Sequence, residues 1–278
     1  MIKSKDAAAM KPEMSEFSYG FAFTNELITL PGSHVVAAPE FPSLQKEGKP
    51  GGGYDVKIPF GSPLFLQFKL SHYLERTNCK EYTLMGGAYY RWHLHALRHS
   101  AQHDLLLELE SKGNEVYYVA PGFHQTAELN AHYLSKQIVN RSFGFRPGDI
   151  GVLPDENEHY VVFNSLPMAY RCSDEPSLVK TQLMADLLGV AQDQRATRDL
   201  NEAGIRQIGQ TIVDVLRKSR TRRSLVGHKS VNPDEVARAI DDQPTLRTLA
   251  FISRTVLDSE LLILRNEPTV KRISRRRG

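Results

Sequence analysis

The run Leu64-Phe65-Leu66-Gln67-Phe68-Lys69-Leu70 restricts what this chain can fold into more than any other stretch. Apolar and polar residues alternate along it, and in a β-strand successive side chains point to opposite faces. Leu64, Leu66, Phe68 and Leu70 then form one apolar face, and Gln67 and Lys69 stand together on the other. A second alternating run, Gly52-Gly53-Tyr54-Asp55-Val56-Lys57-Ile58, lies just upstream, and Pro59-Phe60-Gly61-Ser62-Pro63 between them has the composition of a turn. The pattern predicts a hairpin. With the turn centred on Gly61, Asp55 falls opposite Gln67, where directly opposed side chains sit about 4.5–5.5 Å apart. Lys69 follows one pleat further, near Gly53. A slip of one residue would send Asp55 and Gln67 to different faces.

An acid, an amide and a lysine on one side of a strand pair so rich in Leu and Phe form a candidate metal and phosphate site. Asp55 is a hard oxygen donor suited to Mg²⁺. The Gln67 amide oxygen can ligate a cation but brings no charge. The glycines at 51–53 leave room for a ligand or another backbone to approach. The competing interpretation is a solvated polar face on an edge hairpin.

This arrangement, Gly53-Tyr54-Asp55 followed by Gln67-Phe68-Lys69, resembles the PD-(D/E)xK nuclease superfamily, and within it the Mrr-like restriction endonucleases with a QxK motif. The resemblance covers roughly residues 16–165. It implies an α/β fold: a restriction-endonuclease-like mixed central sheet flanked by helices, in the order helix, three antiparallel strands, helix, strand. It also implies a metal-dependent endonuclease that hydrolyses phosphodiester bonds in DNA, with RNA an alternative substrate, and a role in bacterial restriction or phage defence. The cofactor implied is Mg²⁺, with Mn²⁺ as a substitute. Its ligands would be Asp55, Gln67, the backbone carbonyl of Phe68 and a glutamate on the first helix. Lys69 would hold the attacking water or stabilise the transition state. With Gln67 in place of an acid, the same resemblance is compatible with a catalytically inactive nucleic-acid-binding or effector-assembly protein.

Elsewhere the pattern predicts further elements. Ser15 to Thr29 reads as the first helix, with Ser15 as its cap and Phe17, Phe21, Thr24 and Ile28 along one stripe. Glu16 and Glu26 are the carboxylates on it, and the sequence does not choose between them; Glu47 is a third, solvated candidate. A long helix is expected over 89–111, a strand over 115–120, a helix over 126–140 and a strand over 160–163. On such a helix His95, His99 and His103 would share a face at four-residue spacing, as zinc ligands can, with His93 close by. No Glu follows His95 or His99, so the general base of a zinc protease is missing. Cys79 and Cys172 stand far apart without a CxxC pattern and suggest reduced thiols in a cytoplasmic protein.

The net charge of +3 is unevenly spread. The chain is slightly acidic up to residue 173 and basic beyond it. Ser173-Asp174-Glu175-Pro176 is a candidate boundary, which divides the chain into a disordered leader (1–14), a nuclease-like domain (15–173) and a helical accessory region with a basic tail (174–278). Helices are expected over 178–188, 200–217, from Pro233 onward, and over 246–264. Arg217, Lys218, Arg220, Arg222 and Arg223 form a cluster able to neutralise phosphates. The alternative is a solvated linker. The helical stripes offer a face for a protein partner or a second copy of the chain. No apolar run is long enough to span a membrane.

Overall fold

The computed structural model describes residues 9–29, 60–97, 100, 102–164, 168–172, 175–190, 198–220 and 232–264. The elements, in chain order, are α1 (Glu16–Thr29), β1 (Phe60–Phe68), β2 (His72–Leu74), the single turn α2 (Tyr82–Met85), β3 (Tyr89–Leu94), α3 (Gln102–Ser111), β4 (Glu115–Pro121) and α4 (Thr126–Leu134). A 3-10 turn (Val139–Arg141) leads to β5 (Ser142–Phe145) and the single turn α5 (Pro147–Ile150). The hairpin-forming strands β6 (His159–Phe163), β7 (Met168–Cys172) and β8 (Ser177–Lys180) come next. β9 (Gln182–Leu183), α6 (Met184–Val190), β10 (Arg198–Asp199), α7 (Glu202–Arg220), α8 (Pro233–Asp242), α9 (Leu246–Leu257) and β11 (Glu260–Leu264) complete the chain.

The fold is mixed α/β with two sheets. The first runs β10-β1-β4-β5-β9, with β11 also paired to β1; the second is β2-β3-β6-β7-β8. β1 and β4 are parallel. The pairings of β1 with β11, β4 with β5 and all those of the second sheet are antiparallel. β1 is buried on both faces, and its period of two sorts its side chains between two cores. Leu64, Leu66 and Phe68 pack with Tyr19, Phe23 and Leu27 of α1. Phe65 faces the other way, into a core shared with Trp92 of the second sheet, Leu105 of α3, Ile208 of α7 and Leu249 of α9. β4 and β11 sort likewise: Val116, Tyr118, Leu261 and Ile263 on the second side, Tyr117, Val119, Leu262 and Leu264 on the first. Each fully buried Leu or Phe contributes about 1.5–3 kcal/mol, so this central layer anchors the molecule.

Several expectations are corrected. The 59–63 stretch is not a turn throughout, because β1 begins at Phe60 and continues through Gly61, Ser62 and Pro63. Its antiparallel neighbours are β10, at Phe60↔Asp199 and Gly61↔Arg198, and β11, from Ser62↔Leu264 to Leu66↔Glu260, and β4 runs parallel to it. The upstream half of the expected hairpin, with Asp55, lies outside the described residues, as does Glu47. The long helix expected over 89–111 is strand β3 followed by α3; Tyr90, Trp92 and Leu94 alternate toward the core, which a helix would not allow. Residues 177–183 form strands before α6, and 246–264 is a helix and then a strand rather than one helix.

α1 begins where expected, with the Ser18 N–H donating to Ser15 Oγ at 3.0 Å. Its buried face is not the expected one: Tyr19, Ala22, Phe23 and Leu27 are inside, and of the expected stripe Thr24 is buried whereas Phe17 is 60% and Phe21 49% exposed. Two aromatic stripes share this helix, and only packing on β1 selects one. The 173/174 division does not separate the strands, since β7 and β8 pair across it and β11 pairs with β1. The second half is helical over α7 to α9 yet supplies strands to both sheets.

Candidate functional site

Gln67 is the penultimate residue of β1 and Lys69 comes just after the strand, the Lys69 N–H donating to Val119 O of β4 at 2.9 Å. Both side chains are nearly inaccessible, at 1% and 7% exposure. Three other element ends meet here. α1 begins at Glu16, α3 begins at Gln102, and α9 ends at Asp258. The locus lies at the C-terminal end of a parallel strand pair, where open α/β sheets commonly hold ligands.

Lys69 Nζ donates to Gln102 Oε1 at 3.4 Å. The Gln102 amide nitrogen reaches Asp258 Oδ2 at 3.4 Å and Leu257 O at 3.5 Å. The Gln67 amide nitrogen reaches the same Asp258 oxygen at 3.5 Å. These are long contacts for hydrogen bonds, so the polar groups converge without closing tightly on one another. Gln67 Oε1 is buried with no hydrogen-bond partner. A buried acceptor left so costs about 1–3 kcal/mol, and such an atom calls for an explanation.

The charges form a rim over a buried floor. Burial pushes the Lys69 ammonium below its ordinary value, against the opposing pull of Glu16 and Asp258. Burial also raises the Glu16 carboxyl; Lys69 opposes this, Asp258 adds to it, and the Leu70 N–H and Arg254 counter it. Glu16 and Asp258 keep exposed surface, so water screens their charges and leaves them accessible from solution. Beside them Arg254 pairs with the buried Glu260, whose carboxyl burial raises above its ordinary value.

The structure thus brings Gln67, Lys69 and Glu16 together and keeps Glu26 apart. Glu26, 1% exposed, accepts from the Ile138 N–H at 2.7 Å and the Val139 N–H at 3.2 Å. It fastens α1 to the 3-10 turn. The Phe68 ring packs edge-on against Tyr19 and Phe23, at 5.5 Å in each case, and lies so close to Gly20 that a Cβ there would sit 2.8 Å from it.

Sequence reasoning missed Asp258 and Gln102. Asp258 and Ser259 interrupt the apolar periodicity before Leu261-Leu262-Ile263-Leu264, and that break was the available signal for a helix end followed by a buried strand. Gln102 carried no signal, because only the approach of α3 to β1 gives it a role.

The histidines do not form one face. His93 lies in β3, with its ring 4.4 Å from Tyr160 and 6.2 Å from His72. His95 follows β3, and His99 lies outside the described residues. His103 in α3 is held between Tyr118 OH at 3.0 Å and Gly151 O at 2.8 Å. Lys69, His93, His95 and Gln102 do line a common recess. Among the described residues no three His, Cys, Asp or Glu side chains gather as a metal-ligand group.

Of the basic cluster, Arg217 pairs with Asp234 at 3.0 Å and Lys218 pairs with Glu108. Both contacts tie α7 to its neighbours. The Arg220 side chain, Arg222 and Arg223 lie outside the described residues. Cys79 and Cys172 are free thiols, and burial pushes the Cys172 thiol up to about 12. Among the described residues no helix is long and apolar enough to cross a membrane. Comparison with protein-family models, with curated proteins and with solved structures finds no match.

Proposed function

We propose that this chain is a metal-dependent nuclease of the PD-(D/E)xK type, hydrolysing phosphodiester bonds in DNA at the end of β1, in a cytoplasmic restriction or phage-defence role. The observation that carries the reading is the buried pair Gln67 and Lys69 beside the carboxylate of Glu16. A buried lysine just past an apolar strand costs stability through its desolvation, and its position near a carboxylate and an unsatisfied amide oxygen fits a site that receives a phosphate and a cation. Further support comes from the parallel pair β1 and β4, with α1 ahead of β1 and α3 leading into β4; β2 and β3, which come between β1 and α3, belong to the second sheet and depart from the expected run of three antiparallel strands.

The orphaned Gln67 Oε1 and the Glu16 carboxylate at the start of α1 suit a hard divalent cation. Asp55, Gln67, Glu16 and the Phe68 carbonyl are the residues that would hold Mg²⁺ or Mn²⁺. Such an ion lowers the pKa of a bound water and offsets charge on a phosphate. Lys69 supplies a fixed donor and a positive charge in a water-poor setting, where electrostatic stabilisation is strongest. Gln102 holds the ammonium in place from the start of α3.

The second reading is an inactive nucleic-acid-binding or effector-assembly protein on the same fold. One observation favours it: Gln67 brings no charge, and the described residues contribute only two carboxylates to the site. The test is incubation of the full chain with plasmid DNA and with RNA, in Mg²⁺, Mn²⁺ or EDTA. Metal-dependent cleavage lost in both Asp55→Ala and Lys69→Ala is the expected result. Cleavage unaffected by either substitution overturns the site, and binding without cleavage supports the second reading.

A further inference from the structure

Asp258 occupies a position that local physics disfavours. It caps the C-terminal end of α9 with φ 50° and ψ 40°. Among the described residues only Lys136 shares a positive φ without being glycine. The left-handed conformation is cheapest for Gly, and next for Asn or Asp. A carboxylate there also faces the negative end of the helix dipole, which prefers a cation. Glu260, two residues on, adds a like charge, and Arg254 is already committed to Glu260. As a helix cap alone, Gly or Asn would serve better.

The side chain lies against the floor of the candidate site. Its Oδ2 is approached by the amide nitrogens of Gln67 and Gln102, and its charge is felt by both Glu16 and Lys69. The other atom of the Gln67 amide, Oε1, is buried and unpartnered. It is an acceptor with nothing to accept from, on the amide whose nitrogen approaches Asp258 Oδ2.

We propose that Asp258 is a metal-ligating carboxylate of this site, acting with Glu16 and Gln67 Oε1 on a hard divalent cation. The proposal rests on the metal-dependent reading of the site and goes beyond it. The C-terminal segment then contributes directly to the chemistry, because Asp258 is carried to Gln67 by the docking of β11 on β1. The charge that Gln67 does not bring is supplied from the far end of the chain.

The test is Mn²⁺ binding by the full chain, followed by isothermal calorimetry and by the electron paramagnetic signal of free Mn²⁺, in wild type, Asp258→Gly, Asp258→Asn and Glu16→Gln, with thermal melting in EDTA beside it. Gly and Asn both suit the left-handed backbone, so these variants should melt no lower than wild type in EDTA. Each should nevertheless bind Mn²⁺ at least tenfold more weakly, as should Glu16→Gln. Wild-type affinity in Asp258→Gly overturns the proposal, as does a wild type that binds no Mn²⁺ at millimolar concentration. Binding that depends on Asp258 without cleavage of DNA or RNA upholds the metal site and sinks the nuclease reading. Metal-dependent cleavage that survives Asp258→Gly at full Mn²⁺ affinity does the reverse.

Discussion

Lys69 Nζ donates to Gln102 Oε1 at 3.4 Å, and this contact joins the end of β1 to the start of α3 across the parallel crossover. Asp258 stays exposed and Glu16, although burial raises its carboxyl, keeps exposed surface, so removing the ammonium leaves no fully buried charge. Lys69→Met keeps the aliphatic volume and sheds the desolvation cost. Its unfolding free energy should therefore lie within about 1 kcal/mol of wild type, while nucleic-acid cleavage is abolished. A denaturant titration paired with the cleavage assay checks both. A loss of several kcal/mol would make Lys69 a structural residue instead.

Glu26 marks the contrast with Glu16. Its carboxylate accepts two backbone N–H groups from Ile138 and Val139 in the interior. In Glu26→Gln one oxygen becomes an NH₂ facing a donor, which should cost about 1.5–3 kcal/mol. Mn²⁺ affinity should be unchanged at temperatures where the variant is folded. Weakened metal binding without lost stability would return Glu26 to the site.

The packing of α7 on α8 depends on Gly209, where an added Cβ would lie 2.3 Å from Ile240 Cδ1. Gly209→Ala gains about 1 kcal/mol of helix propensity but overpacks a buried contact at about 1–3 kcal/mol. A net loss of about 1 kcal/mol is expected. Adding Ile240→Val removes the nearest methyl and should recover part of the loss, a coupling that a double-mutant cycle measures. Purely additive effects would show that the two helices separate freely.

Stability should fall on the acid side because of His103. Burial pulls its folded pKa below the ordinary 6.5. Between the folded and unfolded values the unfolded chain binds the extra proton, so acidification through that window favours unfolding and raising the pH restores stability. His103→Gln should cost stability at pH 8, where it disturbs the contacts to Tyr118 and Gly151. It should also flatten the decline between pH 7 and pH 5. Unfolding free energies at three pH values decide the matter, and an unchanged acid slope would rule His103 out as its source.

Much of the central layer was legible in the sequence. The alternation over 64–70 gives β1 its period, and the apolar run at 115–120 and Tyr160-Val161-Val162-Phe163 give β4 and β6. Asn232-Pro233 marks the start of α8, where Asn232 Oδ1 accepts from the Asp234 N–H at 3.1 Å. Local signals of this kind survive because cap chemistry and period-two burial act over a few residues. Errors fell where a short apolar run suits either element. Tyr89–Leu94 and Glu260–Leu264 look equally at home in a helix, and pairing with β6 and β1 decides for strand.

The sequence by itself determined that Gln67 lies in a strand at the heart of the protein with Lys69 two residues on, a spacing that places both on one side of an extended chain. Tertiary structure decided everything those side chains meet. It chose Glu16 over Glu26, turned Tyr19 and Phe23 rather than Phe17 and Phe21 toward β1, and brought Asp258 from 191 residues away to the Gln67 amide. Contacts at that separation depend on which sheet edge β11 fills, and that choice is set by burial summed over the whole core, not by any local pattern.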